Sequence, residues 1–150
     1  MKITKRWLQE RRACEGGTKW FLNQRASKLD TVVMKLIKED HYDWVYWVLV
    51  RFMSHTQKVT YAAFAANQVL SIYEKAYPGD LRPRAAIEAA VRFAERPTDE
   101  SRDAANAAAT AAANAASYAA TAAANAAAYA ATAAMKNKIV AYGLKLIGGK

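Results

Sequence analysis

Apolar residues recur along this chain at helical spacing almost throughout, and strand-like alternation is nearly absent. Trp7 and Leu8, then Trp20, Phe21 and Leu22, predict two short helices around the Gly16-Gly17 pair. Leu29, Val32, Val33, Leu36 and Ile37 follow the i, i+3, i+4, i+7, i+8 pattern of one buried face, and Ser27 precedes them as a capping residue. Asp40 stands at the head of a very apolar stretch, Trp44, Val45, Trp47, Val48, Phe52 and Met53, which reads as a central helix. A third long pattern starts at Thr56, turns Val59, Ala63, Ala66, Leu70 and Tyr73 inward, and stops at Pro78-Gly79. Pro83 suits the first turn of a further helix carrying Ile87, Ala90, Val91 and Ala94, and Pro97 ends it. Thr98 then caps a last helix whose first turn holds Asp99 and Glu100, where negative charge complements the helix dipole. The fold class is all-α: a helical bundle of six to seven helices closed by a long alanine-rich one.

That last helix has an internal repeat. Residues 104 to 134 hold 22 alanines in 31 positions and no charge, with Thr110, Thr121 and Thr132 spaced eleven apart. Asn114 and Asn125, and Tyr118 and Tyr129, keep the same spacing. At about 100° per residue, offsets of four and eight fall within one sector, so Thr, Asn and Tyr make a single stripe on a methyl-coated rod. Eleven residues over three turns drift little from a straight helix, and 31 residues span roughly 46 Å. The chain thus divides into an aromatic-rich helical part, 1–97, and an alanine-rich helix, 98–147, within a single domain. The threonine spacing resembles that of type I antifreeze proteins, but tyrosine and asparagine stand where that family has alanine, which argues against an ice-binding face.

Composition adds a charge asymmetry. The chain of 150 residues carries 22 Lys and Arg against 13 Asp and Glu, a formal +9. Ten basic residues against three acidic ones give residues 1 to 38 a net +7, and four lysines after the alanine tract add +4. Basic ends attract anionic partners, so Arg6, Arg11, Arg12 and Lys19, beside Trp7 and Trp20, form a candidate anion site for nucleic acid or nucleotide. The neutral alanine tract lacks the Leu, Ile, Val and Phe that drive insertion, so no membrane association is expected.

Signatures of catalysis are missing. His41 and His55 are the only histidines, neither stands at metal-ligand spacing from Cys14, and no HExxH, CxxC, GxSxG or Walker-type loop occurs. One cysteine fits a reducing, cytoplasmic setting without disulfides. Neither catalytic residues, a metal nor a cofactor is expected. Arg51, inside an apolar run, predicts an acidic partner in Glu74 or Asp43, while Arg84 and Glu88, four apart, predict an intrahelical pair.

Four runs taken together resemble one known family: ACEGGTKWF (Ala13 to Phe21), DWVYW (Asp43 to Trp47) with Arg51, YAAFAANQVLSIYEKAYPGD (Tyr61 to Asp80) and RPRAAIEAA (Arg82 to Ala90), followed by an alanine-rich tail. The chain is similar over about residues 7 to 134 to an alanine-rich, all-helical immunity-protein family of bacteria and phages, associated with polymorphic toxins. The resemblance implies a non-enzymatic protein that binds another protein and neutralises it by occlusion. In a bacterium the target would be a toxin; in a phage it would be a host defence component, such as a CRISPR effector, in an anti-CRISPR role. The stripe of Thr110, Asn114, Tyr118, Thr121, Asn125 and Tyr129 is the partner-binding surface expected from the repeat, since rigid tyrosines give contact area at low entropic cost. The same alanine-rich helix is also a candidate surface for a homodimer.

Overall fold

The computed structural model describes residues 1–96, 98, 99, 103 and 133–148. The described residues form seven helices, with one isolated antiparallel bridge between Lys2 and Lys28 and no strand. The chain divides into two compact units, Met1–Arg51 and Phe52–Lys150.

The first unit holds α1 (Lys5–Glu10), α2 (Glu15–Asn23), α3 (Leu29–Lys38) and most of α4 (Tyr42–Phe52). Thr4 caps α1 by accepting the Trp7 amide at 3.1 Å, and the Cys14 Sγ accepts the Gly17 amide of α2 at 3.3 Å. Ser27, expected to cap α3, does not: Lys28 holds the cap position without a side-chain hydrogen bond. The extended N-terminus supplies the partners instead. Ile3 N–H donates to the Ser27 carbonyl at 2.7 Å, and Leu29 N–H, an orphan donor of the first helical turn, donates to the Met1 carbonyl at 3.1 Å.

Asp40, expected to open α4, closes α3. Its φ of 59° is left-handed. The His41 amide donates to Leu36 O at 2.9 Å and the Asp40 amide to Ile37 O at 3.1 Å, the paired reverse bonds of a Schellman termination. The same device ends α1: Arg12 has φ 53°, Ala13 N–H reaches Leu8 O at 3.0 Å, and Arg12 N–H reaches Gln9 O at 3.0 Å. Two non-glycine residues therefore occupy positions that glycine usually takes, and both turns deliver the next segment back toward the core. That core contains Ile3, Leu8, Phe21, Leu29, Val32, Val33, Leu36, Val45, Val48 and Leu49, all buried. Each fully buried aliphatic side chain contributes about 1.5–3 kcal/mol relative to exposure.

The second unit is built on α5 (His55–Ala76), α6 (Arg82–Glu95) and α7 (Ala133–Gly148). The α5 helix starts earlier than Thr56 because Ser54 and Gln57 form a capping box: the Ser54 Oγ accepts the Gln57 amide at 3.2 Å, and the Gln57 Oε1 accepts the Ser54 amide at 2.8 Å. The Gln57 Nε2 then donates to the Leu146 carbonyl at 2.6 Å, and the Phe64 and Tyr142 rings stack at 3.9 Å, which fastens α7 to α5.

Pro78 and Gly79 end α5 as their residue types predict, and Pro83 lies in the first turn of α6. Asp80 organises the corner. It accepts the Tyr73 hydroxyl at 2.7 Å, the Arg82 Nε at 2.8 Å and Nη2 at 2.7 Å, and the Arg82 amide at 3.0 Å. The Arg82 and Tyr73 hydrogen bonds hold the Asp80 carboxyl far below the usual carboxylate range. Arg84 pairs across the corner with Glu74, at 2.8 Å for both contacts, rather than along its own helix with Glu88. The α6 helix is also rotated from the expected phase. Ala89 and Phe93 are buried while Val91 is exposed, because Phe93 offers the larger apolar area and packs edge-on to His55 at 5.7 Å.

No helix among the described residues is long and apolar enough to cross a membrane. Of the expected 98–147 helix, α7 covers the last part; the stripe positions Thr110, Asn114, Tyr118, Thr121, Asn125 and Tyr129 lie outside the described residues.

Candidate functional site

The four tryptophans, all in the first unit, are half-buried rather than part of the core. Trp44 and Trp47 stand three apart on α4, which puts them on neighbouring positions of one helix face. The Trp44 ring stacks on His41 at 4.3 Å and meets Trp20 of α2 edge-on at 6.2 Å. Two glycines of α2 face the Trp44 ring, and only one of them is in a tight place. A Cβ at Gly16 or Gly17 would sit 3.7–3.8 Å from the Trp44 ring, and one at Gly17 would press on the Cys14 Sγ at 3.2 Å. Trp20 is fixed in turn by its indole Nε1, which donates to the Glu39 carboxylate at 2.6 Å.

Trp20, Trp44 and Trp47, but not Trp7, line a cavity of about 400 Å³. Its apolar lining includes Ile3, Leu8, Phe21, Trp20, Trp44 and Trp47, and the polar groups reaching it are Arg12, Cys14 and Asp43. A volume in the range of roughly 300–1,000 Å³, an apolar lining and a few placed polar groups are the properties of a ligand or side-chain pocket. Neither the Arg12 nor the Asp43 side chain makes a hydrogen bond or ion pair among the described residues. Arg12 owes its place to the left-handed turn that ends α1, one residue before the cavity-lining Ala13.

Beside the cavity, two more guanidiniums lie on indole rings. Arg11 sits over Trp7 at 4.6 Å and Arg51 over Trp47 at 3.5 Å, and the two rings meet edge-on at 6.1 Å. Arg51 has neither of the acidic partners expected for it. Glu74 belongs to Arg84, Asp43 lines the cavity, and Arg51 donates from Nη1 to the Trp47 carbonyl at 2.9 Å. Partial burial, and then repulsion from Arg11, lower its pKa from the ordinary arginine value.

The sequence-derived anion group is thus divided. Arg6 pairs with Glu10 at 2.8 Å and Lys19 with Glu15 at 2.6 Å, each one turn along its own helix. Arg11 shares Glu10 with Arg6, at 3.6 Å, and Arg12 reaches the cavity. Sequence reasoning missed Asp43, Trp44, Trp47 and Arg51 as site residues. The signal was present in the Trp-x-x-Trp spacing followed by Arg four residues later, which on a helix stacks all three on one side.

No curated protein and no solved structure matches the chain. A family model does: it is described as Imm-5 like putative immunity protein, and it matches residues 49–150, the whole second unit and the end of α4. The match takes in the Tyr61 to Asp80 run, the Asp80-centred corner and α7, and by it the chain belongs to the Imm-5 like immunity-protein family.

Proposed function

We propose that this protein is a non-enzymatic inhibitor that binds a protein target and neutralises it by occlusion, acting in the cytoplasm. Family membership over residues 49–150 carries this reading. A toxin encoded beside it is the expected target in a bacterium, and a host defence protein is the counterpart if the gene is carried by a phage. Rigid capping and packed corners suit the role, because a partner surface held in one conformation loses little entropy on binding.

The test is growth rescue. Expression of the neighbouring toxin gene should arrest a bacterial host, and co-expression of the full chain should restore growth. Purified chain and toxin should then form a stoichiometric complex by calorimetry. Continued arrest despite soluble, folded chain would refute the reading.

A further inference from the structure

We propose that the tryptophan-walled cavity of the first unit, with Arg11, Arg12 and Arg51 around it, receives an acidic protein segment whose single bulky apolar side chain enters between Trp20, Trp44 and Trp47. This rests on reading the chain as a partner-binding protein, and it names the chemistry of the partner. Three observations carry it.

The first is the cavity. About 400 Å³ of apolar space open to the surface has no occupant from the residues that line it, and filling such space with one aromatic or large aliphatic side chain is how protein interfaces concentrate affinity. The second is charge. Some cations are neutralised locally: Arg6, Lys19, Arg82 and Arg84 each have a carboxylate at 2.6–2.8 Å. Arg51 rests on an indole and a carbonyl, Arg12 has no side-chain hydrogen bond or ion pair among the described residues, and Arg11 takes the second share of Glu10. Residues 1–51 carry eleven Lys and Arg against six Asp and Glu, so the surroundings favour an anion.

The third observation separates an acidic protein from a nucleic acid. Single strands bind by stacking bases on open aromatic faces. Here the Trp44 face is taken by His41, and Trp7 and Trp47 each carry a guanidinium. A quaternary ammonium is disfavoured for the same reason, since it too needs open ring faces and would meet Arg12.

Cys14, the chain's only cysteine, lines the cavity and is exposed, so its rate of alkylation reports occupancy. The probe is a capped pentapeptide with a central phenylalanine flanked by two acidic residues on each side, titrated into the full chain while tryptophan emission and Cys14 alkylation by iodoacetamide are followed. Saturable binding with Kd below about 1 mM is expected, together with at least a several-fold slowing of alkylation. Replacing the phenylalanine by alanine should weaken binding about tenfold, and so should reversing the flanking charges. Arg12→Gly, which suits the left-handed backbone, and Ala13→Phe, which fills the cavity, should each weaken binding while leaving the far-UV circular dichroism unchanged. The proposal is overturned if the alanine peptide binds equally well, if decathymidylate binds tighter than the acidic peptide, or if no peptide binds. It is also overturned if both variants still rescue growth and bind toxin like wild type; wild-type failure to rescue speaks against the inhibitor reading instead.

Discussion

Replacing Arg12 by glycine should stabilise the first unit while removing a charged side chain from its cavity. Arg12 sits at φ 53° as the reversal point of the α1 termination. A left-handed conformation costs an L-residue with a Cβ roughly 1–2 kcal/mol, and glycine avoids it. Against this, glycine's greater freedom in the unfolded chain returns about 0.5–1 kcal/mol of that gain. The Arg12 side chain is exposed and has no hydrogen bond or ion pair among the described residues, so its deletion sacrifices no partner. The net expectation is a gain of about 0.5–1 kcal/mol.

The assay can be confined to the relevant unit. Trp7, Trp20, Trp44 and Trp47 all lie within Met1–Arg51, so tryptophan emission during urea denaturation follows that unit. With m near the low end of about 1–3 kcal/mol/M for so small a unit, the midpoint of R12G should rise by roughly 0.5–1 M. Arg12→Val tests the cause from the other side, because a β-branched residue in this region is a genuine outlier. It should lower the midpoint by a comparable amount. Asp40→Gly should gain less than R12G, since aspartate tolerates the left-handed region better than arginine does. If R12G lowers the midpoint at unchanged m, or R12V matches wild type, backbone strain at this turn is not what the φ value implies.

Ser54→Ala should destabilise the second unit by about 1 kcal/mol through loss of the capping box, read as a lower urea midpoint in far-UV circular dichroism. Asp80→Asn should flatten the acid limb of stability. The native Asp80 binds its proton less readily than the unfolded chain's aspartate, so its stabilisation is complete above about pH 4 and is lost as pH falls toward the lower native value. A variant whose midpoint falls between pH 6 and pH 3 as steeply as wild type would contradict that assignment. Tyr118→Ala with Tyr129→Ala should weaken target binding while leaving helix content intact, measured by calorimetry and circular dichroism; unchanged affinity would remove the stripe as a partner surface.

The helices were legible because their signals are local. The apolar spacing of Leu29, Val32, Val33 and Leu36 places α3 with the face that is in fact buried, and Pro78-Gly79 and Pro83 bracket the α5–α6 corner. Their ends were less legible because distant chain decides them. The first amide of α3 is satisfied by Met1, which no pattern around Ser27 reveals. Asp40 has the composition of an N-cap and the backbone of a C-terminal reversal, and both roles suit a short polar side chain. Arg84 chooses Glu74 over Glu88 because the α5–α6 corner brings a rigid bidentate geometry that the i, i+4 spacing on one helix does not offer. The cavity was hidden for a related reason: tryptophan composition marks apolar area, but whether the rings fill a core or wall a hollow depends on packing across three helices.

The net charge of +9 acquires its meaning only after such pairing is known. Arg6, Lys19, Arg82 and Arg84 contribute to that total yet are neutralised within one turn or across one corner, so they add little field at a distance and, being exposed in large part, little stability. Arg11 and Arg51 contribute the same formal charge while lying on indole rings, Arg51 with a backbone carbonyl as well, and the Arg12 side chain makes no ion pair among the described residues. An arriving carboxylate would complete Arg12 and Arg51 without displacing an ion pair, and would compete only with the 3.6 Å contact of Arg11 to Glu10. That makes the arginines around the cavity a source of fast, salt-dependent capture, and leaves residence time to whatever fills the space between the tryptophans.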